Sequence, residues 1–329
     1  MGHRHVVVIA ASRGAIPVLR TLVAALPADL PAAVCIVVHI GRHPSVLPEM
    51  LSRWGKLPAC HPKHGERLKS GQIYVAPPDR HMVLRGGALC LLDSATENFA
   101  RPAADPLFRS AAIEYGPRVA GVVLSGDLDD GSAGLAAVQA RGGYCIVQDP
   151  AECEAPSMPH SALVATRADA IARPEQLAHA IQSAVNGAQR REEATVTIRT
   201  DLDIEARIAE KGVAEPQELD QIGERSALTC PQCSGVLWRL HDEHPVRYRC
   251  HTGHAFSSLS LEEGSAKSTE DTIWAAIRAV HERIIFARER QRWAQRAGSS
   301  DEVAREQTRI DENEKLADIL RAALQAPLP

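Results

Sequence analysis

The chain has 329 residues, 45% of them hydrophobic, enough for one sizeable core plus appendages or for a second domain. Its 37 lysines and arginines against 41 aspartates and glutamates give a net charge of −4, so no basic face is offered to nucleic acid. No apolar run reaches the ~20 residues that span a bilayer, and Met1-Gly2-His3-Arg4-His5 leads into a strand without a signal region, so a cytoplasmic protein is expected.

Val6-Val7-Val8-Ile9 reads as a parallel strand buried on both faces. It runs into small residues and then into Ile16–Leu26, whose apolar residues recur at helical intervals with Pro17 early in the helix. Ser12 therefore falls on a tight strand-to-helix turn at the carboxyl edge of a sheet, where open α/β folds bind ligands. A helix N-terminus there offers unpaired N–H groups to a developing negative charge, though the turn could equally cradle a phosphate or nucleotide. Further strands are expected at Val34–His39, Gln72–Ala76, Val119–Ser125, Tyr144–Gln148 and Leu163–Ala165. Helices are expected at Ser45–Leu51, Pro106–Tyr115, Gly131–Ala140 and Pro174–Val185, with a hairpin at Leu84–Leu92. This alternation predicts a doubly wound, Rossmann-like, mostly parallel sheet over residues 1–187.

Residues 188–228 are charged and poor in bulky apolar groups, apart from a short helical stretch near Leu202–Ala209, and read as a linker. A compact cysteine-histidine module over 229–262 and a helical hairpin over 263–329 follow. In the hairpin Ile273, Ile277, Val280, Ile284 and Ala287 face Val303, Ile310, Ala317, Leu320 and Leu324 across a polar turn at Gly298–Asp301. Residues 268–326 would pack on their own chain, on a partner's coiled coil or on a second copy, since periodicity does not separate these.

Three expected strands end in groups suited to acyl chemistry: Ser12, His39, and the acidic turn with Asp127, Asp129 and Asp130. A serine hydroxyl attacks well only when a base takes its proton. Histidine has the pKa for that task, and a carboxylate on its far ring nitrogen fixes the tautomer.

Over residues 6–185 these motifs resemble the catalytic domain of the CheB-type chemotaxis protein-glutamate methylesterases. Ala11-Ser12-Arg13-Gly14 is similar to the family's nucleophile turn and Val37-Val38-His39-Ile40 to its strand-end histidine. Gly71–Pro77 with His81, and Arg101-Pro102-Ala103-Ala104-Asp105, resemble two further signatures. Gly121–Gly126 with Asp130-Gly131 resembles its Thr-Gly-Met-Gly-x-Asp-Gly loop, and Met158-Pro159 its Gly-Met-Pro. The resemblance implies Ser12 as nucleophile, His39 as general base and Asp130, which precedes the matching Gly131, as the buried orienter. His81 and Arg101 are weaker candidates: Arg101 could bind a substrate carboxylate or a neighbouring chain segment, and a structural role is expected. The sequence departs from the family at Arg13, Ala15, Asp127 and Ser157. Asp127 falls where the family's backbone lines the oxyanion site, and Arg13 is expected as its ion-pair partner. The remaining histidines, His43, His61, His64 and His160 among them, are expected at the surface.

Cys230-Pro231-Gln232-Cys233 and, seventeen residues on, Cys250-His251-Thr252-Gly253-His254 have the spacing of a tetrahedral three-sulfur, one-imidazole site. His254 is expected as the fourth ligand in preference to His251, because Gly253 lets the chain curl back. Four protein ligands close the site and make a bound zinc structural. A redox Cys-x-x-Cys is the alternative, but the thioredoxin-like helix it wants is missing from the pattern. Cys-Pro-x-Cys, Leu237-Trp238, Tyr248-Arg249-Cys250 and Gly253–Phe256 also resemble a zinc-ribbon-like tail of some stand-alone members of the same family.

Together these readings predict a hydrolase that removes methyl esters from glutamates of a receptor-like signalling protein, and by the same chemistry deamidates glutamine. The catalytic strand begins at Val6, so no receiver domain is expected before it. A catalytically silent scaffold that docks through its helical hairpin is the competing expectation.

Overall fold

The computed structural model describes residues 4–39, 44–190, 200–242 and 244–325. His43, Ile40 of the histidine motif and residues 191–199 of the expected linker lie outside them.

The first half alternates strand and helix: β1 (Val6–Ala11), α1 (Ala15–Ala25), β2 (Ala33–Val38), α2 (Leu47–Trp54), β3 (Ala59–Cys60), β4 (Glu66–Arg67) and β5 (Ile73–Val75). A hairpin of β6 (His81–Arg85) and β7 (Ala88–Leu92) follows, then α3 (Ala104–Tyr115), β8 (Val119–Val123), α4 (Ser132–Ala140) and β9 (Tyr144–Gln148). The unit closes with α5 (Ser157–Ala165), β10 (Ala170–Ala172) and α6 (Leu177–Val185). Seven strands form one parallel sheet in the order β10-β9-β8-β1-β2-β5-β3.

β1 is the axis of this sheet, and its two faces feed separate cores. Val7 and Ile9 pack with Leu19 and Leu22 of α1 and Ile181 of α6. Val8 and Ala10 pack with Leu107 and Phe108 of α3 and Leu135 and Val138 of α4. Burial on both faces explains the unbroken β-branched run. The chain builds outward from β1 through β2 and β5, then returns to its other side with β8. The strand order thus reverses beside β1, and the crevice at that reversal lies at the carboxyl ends of β1, β2 and β8.

Leu163–Ala165, expected as a strand, is instead the last turn of α5. Its three residues are too few for period 2 to differ from a helical face, and the edge strand there is β10. Residues 200–222, expected within a linker with one short helical stretch near Leu202–Ala209, form two helices, α7 (Thr200–Lys211) over that stretch and α8 (Pro216–Ile222). Ile204, Ile208, Leu219 and Ile222 bury against Trp238 and Leu240.

Next comes an antiparallel sheet of β11 (Gly223–Thr229), β12 (Val236–Leu240), β13 (Arg247–Cys250) and β14 (Ala255–Ser257). This sheet belongs to the same compact unit, Met1–Leu261, as the parallel one. The second unit, Glu262–Pro329, holds most of α9 (Ser258–Arg296) and all of α10 (Ser300–Gln325). There Val280, Ile284 and Ala287 pack against Ile310, Ala317 and Leu320. No described helix is long and apolar enough to cross a membrane.

Candidate active site

Ser12 follows β1 directly, and its backbone N–H donates to Ser125 O at 3.0 Å beyond the end of β8. The register pairs Ala11 with Val38, which brings Ser12 and His39 to the neighbouring ends of adjacent parallel strands. The His39 N–H donates to Ala11 O at 3.2 Å. No hydrogen bond joins the Ser12 hydroxyl to His39 among the described residues.

His39 Nε2 lies 2.7 Å from Asp130 Oδ2, leaving Nδ1 as its other ring nitrogen. Asp130 is buried and also accepts the backbone N–H groups of Ala104 at 2.6 Å and Asp105 at 3.2 Å, and an Asn98 side-chain N–H at 3.2 Å. Burial alone would raise its pKa. The His39 hydrogen bond and charge, with the two N–H groups, outweigh that and hold it below the usual carboxylate range. Of the three candidate aspartates, Asp130 is thus the one on the imidazole. Asp129 points to Ser257 instead, and Asp127 forms a bidentate pair with Arg13, both bonds 2.7 Å.

Gly126 lets the serine turn and the acidic turn meet. A Cβ there would stand 2.7 Å from Ser12 Cβ and 2.0 Å from Met158 Sδ. Ser125, which the sequence pattern did not single out, ties the turns together: its hydroxyl donates to Arg13 O at 2.8 Å and accepts the Ala155 N–H at 3.0 Å.

His81 and Arg101 shape the surrounding wall. The His81 ring is buried, with Nε2 3.0 Å from Ala95 O and Nδ1 accepting the Ala103 N–H at 3.2 Å, and burial lowers its pKa. Arg101 holds Asp79 at 2.8 Å and the Ser94 carbonyl at 2.8 Å. A cleft of about 260 Å³ opens beside His39, lined by Asp79, Thr96, Phe99, Arg101 and Pro102. Of the other histidines, His64 and His160 are exposed, whereas His61 is half-buried on Val75 O.

Cys230, Cys233, Cys250 and His254 come together as one group able to hold a metal, all four ligand atoms within 4.8 Å of one another. The Cys233 and Cys250 sulfurs are 3.7 Å apart, and His254 Nδ1 lies 3.5 Å from Cys250 Sγ and 3.8 Å from Cys230 Sγ. A tetrahedron with metal–sulfur bonds of about 2.3 Å has edges of about 3.8 Å, so the residues fit such an ion. Gly253, at φ 93°, turns the chain so that His254 faces inward, while His251 is exposed. The mutual hydrogen bond of Cys230 and Cys250 lowers the Cys250 thiol pKa, with His254 and Thr252 adding to it, and raises that of Cys230.

A serine turn, a strand-end histidine on a buried aspartate and a switch-point crevice thus meet in one doubly wound α/β domain. Residues 7–181, just over half of the chain, match the family model described as CheB methylesterase, and the chain belongs to that family. It is 39% identical over 179 residues to protein-glutamate methylesterase/protein-glutamine glutaminase 3 of Anaeromyxobacter dehalogenans, covering 53% of this chain and 52% of that protein. It is likewise 39% identical over 183 residues to protein-glutamate methylesterase/protein-glutamine glutaminase 2 of Caulobacter vibrioides, covering 54% and 53%. The chain thus spans about half the length of each of these relatives. Among solved structures, the Thermotoga maritima CheB methylesterase catalytic domain superposes with a TM-score of 0.53 at 28% identity, covering 55% of this chain and 99% of that one.

Proposed function

We propose that the protein is a serine hydrolase that removes methyl esters from glutamate side chains of a receptor-like signalling protein. The observation that carries this reading is the 2.7 Å pairing of His39 with Asp130, at the strand end next to Ser12. Ser12 Oγ attacks the ester carbonyl as His39 Nδ1 takes its proton. Asp130, held ionised by its hydrogen bonds, stabilises the imidazolium. The ester C–O bond breaks, methanol leaves with the proton from His39, and water then releases the acyl group by the same steps in reverse. A glutamine side chain would follow the same course with ammonia as leaving group, and the names of the relatives support that second activity.

Zinc is the metal we assign to Cys230, Cys233, Cys250 and His254. Four protein ligands leave no open position, so it would hold the module's turns together and take no part in ester chemistry. The helical hairpin is read as an interaction element for a partner coiled coil or a second copy of the chain. The exposed rings of Trp274, Phe286 and Trp293 support that reading. A cytoplasmic location belongs to the same proposal.

Mass spectrometry of a methylated receptor helix incubated with the protein tests the reaction. Loss of methyl groups with the wild type and none with Ser12→Ala is expected. Silence in both would favour the scaffold. Elemental analysis tests the metal, with about one zinc per chain in the wild type and far less in Cys250→Ser.

A further inference from the structure

The metal-binding module and the candidate active site meet at one short segment, residues 96–101. Asn98 is its centre. One face of the Asn98 amide gives an N–H to Asp130 Oδ1 and another to Asp105 Oδ2, both at 3.2 Å. The opposite face, Oδ1, accepts the Ser257 backbone N–H at 2.9 Å and the Ser260 hydroxyl at 2.9 Å. Ser257 ends β14 and Ser260 lies in the first turn of α9, so the amide stands between the module and the carboxylate that carries His39.

The segment's backbone shows the same dependence. Asn98 and Phe99 both adopt left-handed φ values, 51° and 60°, which asparagine tolerates and phenylalanine resists. Groups from the module hold them there. The Asn98 N–H donates to Ala255 O at 2.8 Å, and the Phe99 ring packs 4.9 Å from Phe256. Thr96 hydrogen-bonds through its hydroxyl to Gln232 Oε1 at 2.6 Å, and Gln232 lies between Cys230 and Cys233. Thr96 and Phe99 in turn line the cleft beside His39.

From this geometry we infer that Asn98 is a positioning residue for Asp130, set by Ser257 and Ser260, and that the metal-binding module is a working part of the hydrolase site. The module braces the segment that lines one cleft wall and, through the Asn98 amide, fixes the rotamer of the carboxylate that orients His39. Asn98 touches no reacting atom; it acts through Asp130. This inference rests on the hydrolase reading of Ser12, His39 and Asp130.

The test uses the full, metal-loaded chain and a generic ester, comparing wild type, Ser12→Ala, Asn98→Ala and Ser260→Ala. Asn98→Ala removes a hydrogen bond to a charged acceptor. It should lower kcat on the order of 10-fold or more, with KM held within about twofold and the metal content unchanged. Ser260→Ala deletes one hydroxyl from the far side of the relay. It should lower kcat in the same direction by a smaller factor, which a protein too damaged by Asn98→Ala could not report. Activity that disappears with Ser12→Ala but keeps its wild-type kcat in both relay variants would overturn this inference alone. Activity that survives Ser12→Ala would overturn the hydrolase reading and the inference with it.

Discussion

Asp105 and Asp130 each cap the helix that the other adjoins. Asp130, just before α4, accepts the first N–H groups of α3, from Ala104 at 2.6 Å and Asp105 at 3.2 Å. Asp105, inside α3, accepts N–H groups at the start of α4, from Gly131 at 3.0 Å and Gly134 at 2.7 Å. Neither helix has a side-chain cap from its own N-cap residue. Burial first, then the nearby Asp130 charge, pushes Asp105 well above the usual carboxylate range. Asp105→Ala takes the acceptor from three N–H groups, those of Gly131, Gly134 and the Asn98 amide, and should cost about 1–3 kcal/mol in chemical denaturation. Asp105→Asn keeps an acceptor and removes the like charge, so it should retain most of that stability.

Gly126 gives a second, purely steric prediction. Gly126→Ala would drive its Cβ against Met158 Sδ and Ser12 Cβ, so the nucleophile turn must shift. Overpacking of this kind costs about 1–3 kcal/mol. Ester hydrolysis should fall much further than stability does, as paired kinetic and thermal-melt measurements would show.

Asp129 predicts a pH dependence. Burial, offset in part by the Ser257 hydrogen bond and added to by the Asp130 charge, raises its pKa from 3.8 to about 6. A carboxyl raised in the folded state contributes stability in full below its unfolded pKa and loses it as pH rises through the folded one. Wild-type unfolding free energy should therefore decline between pH 4 and pH 7 by roughly 2 kcal/mol relative to Asp129→Asn, which lacks the titration. Parallel decline in both proteins would count against it.

Arg13 and Asp127 form an exposed bidentate pair at the turn next to Ser12, and the family pattern has an uncharged residue at each position. A carboxylate near a developing oxyanion opposes it, and the guanidinium offsets that charge. Asp127→Met should raise the rate of ester hydrolysis, while Arg13→Ala, which leaves Asp127 unpaired, should lower it. Unchanged rates in both would separate this pair from catalysis.

A buried cluster joins the two sheets. Arg109 and Arg249 both pair with Glu97 at 2.8 Å, and Arg247 and Arg249 reach Glu205 at 2.6 and 3.1 Å. Burial opposes the Glu97 charge, but Arg109 and Arg249 outweigh it and bring its pKa to about 2. Arg249→Met should cost about 3–5 kcal/mol, because it strips two buried carboxylates, Glu97 and Glu205, of one partner each.

The parallel sheet was legible in the sequence because its strands are buried on both faces and read as continuous runs, as Val6–Ile9 do. Ser12, His39 and the acidic turn were legible as strand ends, and the four candidate metal ligands as a spacing. The strands of the module were not. β11 runs Gly-Glu-Arg-Ser-Ala-Leu-Thr with most side chains exposed, so it carries no periodic apolar signal. Asn98 sits in an irregular segment between β7 and α3, where no local pattern marks a residue whose partners lie 32 and 159 positions away. Asp105 was visible only as the last residue of a family motif, since its capping targets are on a different helix.

Glu205 draws one more consequence from the cluster. It comes from α7, in the helical stretch of an expected linker, yet its side chain is 1% exposed and sits among Arg109 of α3 and Arg247 and Arg249 of β13. Excising that helix would not shorten a tether. Arg109 and Arg249 would be left to share Glu97, Arg247 would lean on Asp242 alone, and the surplus positive charge would push the two sheets apart from within.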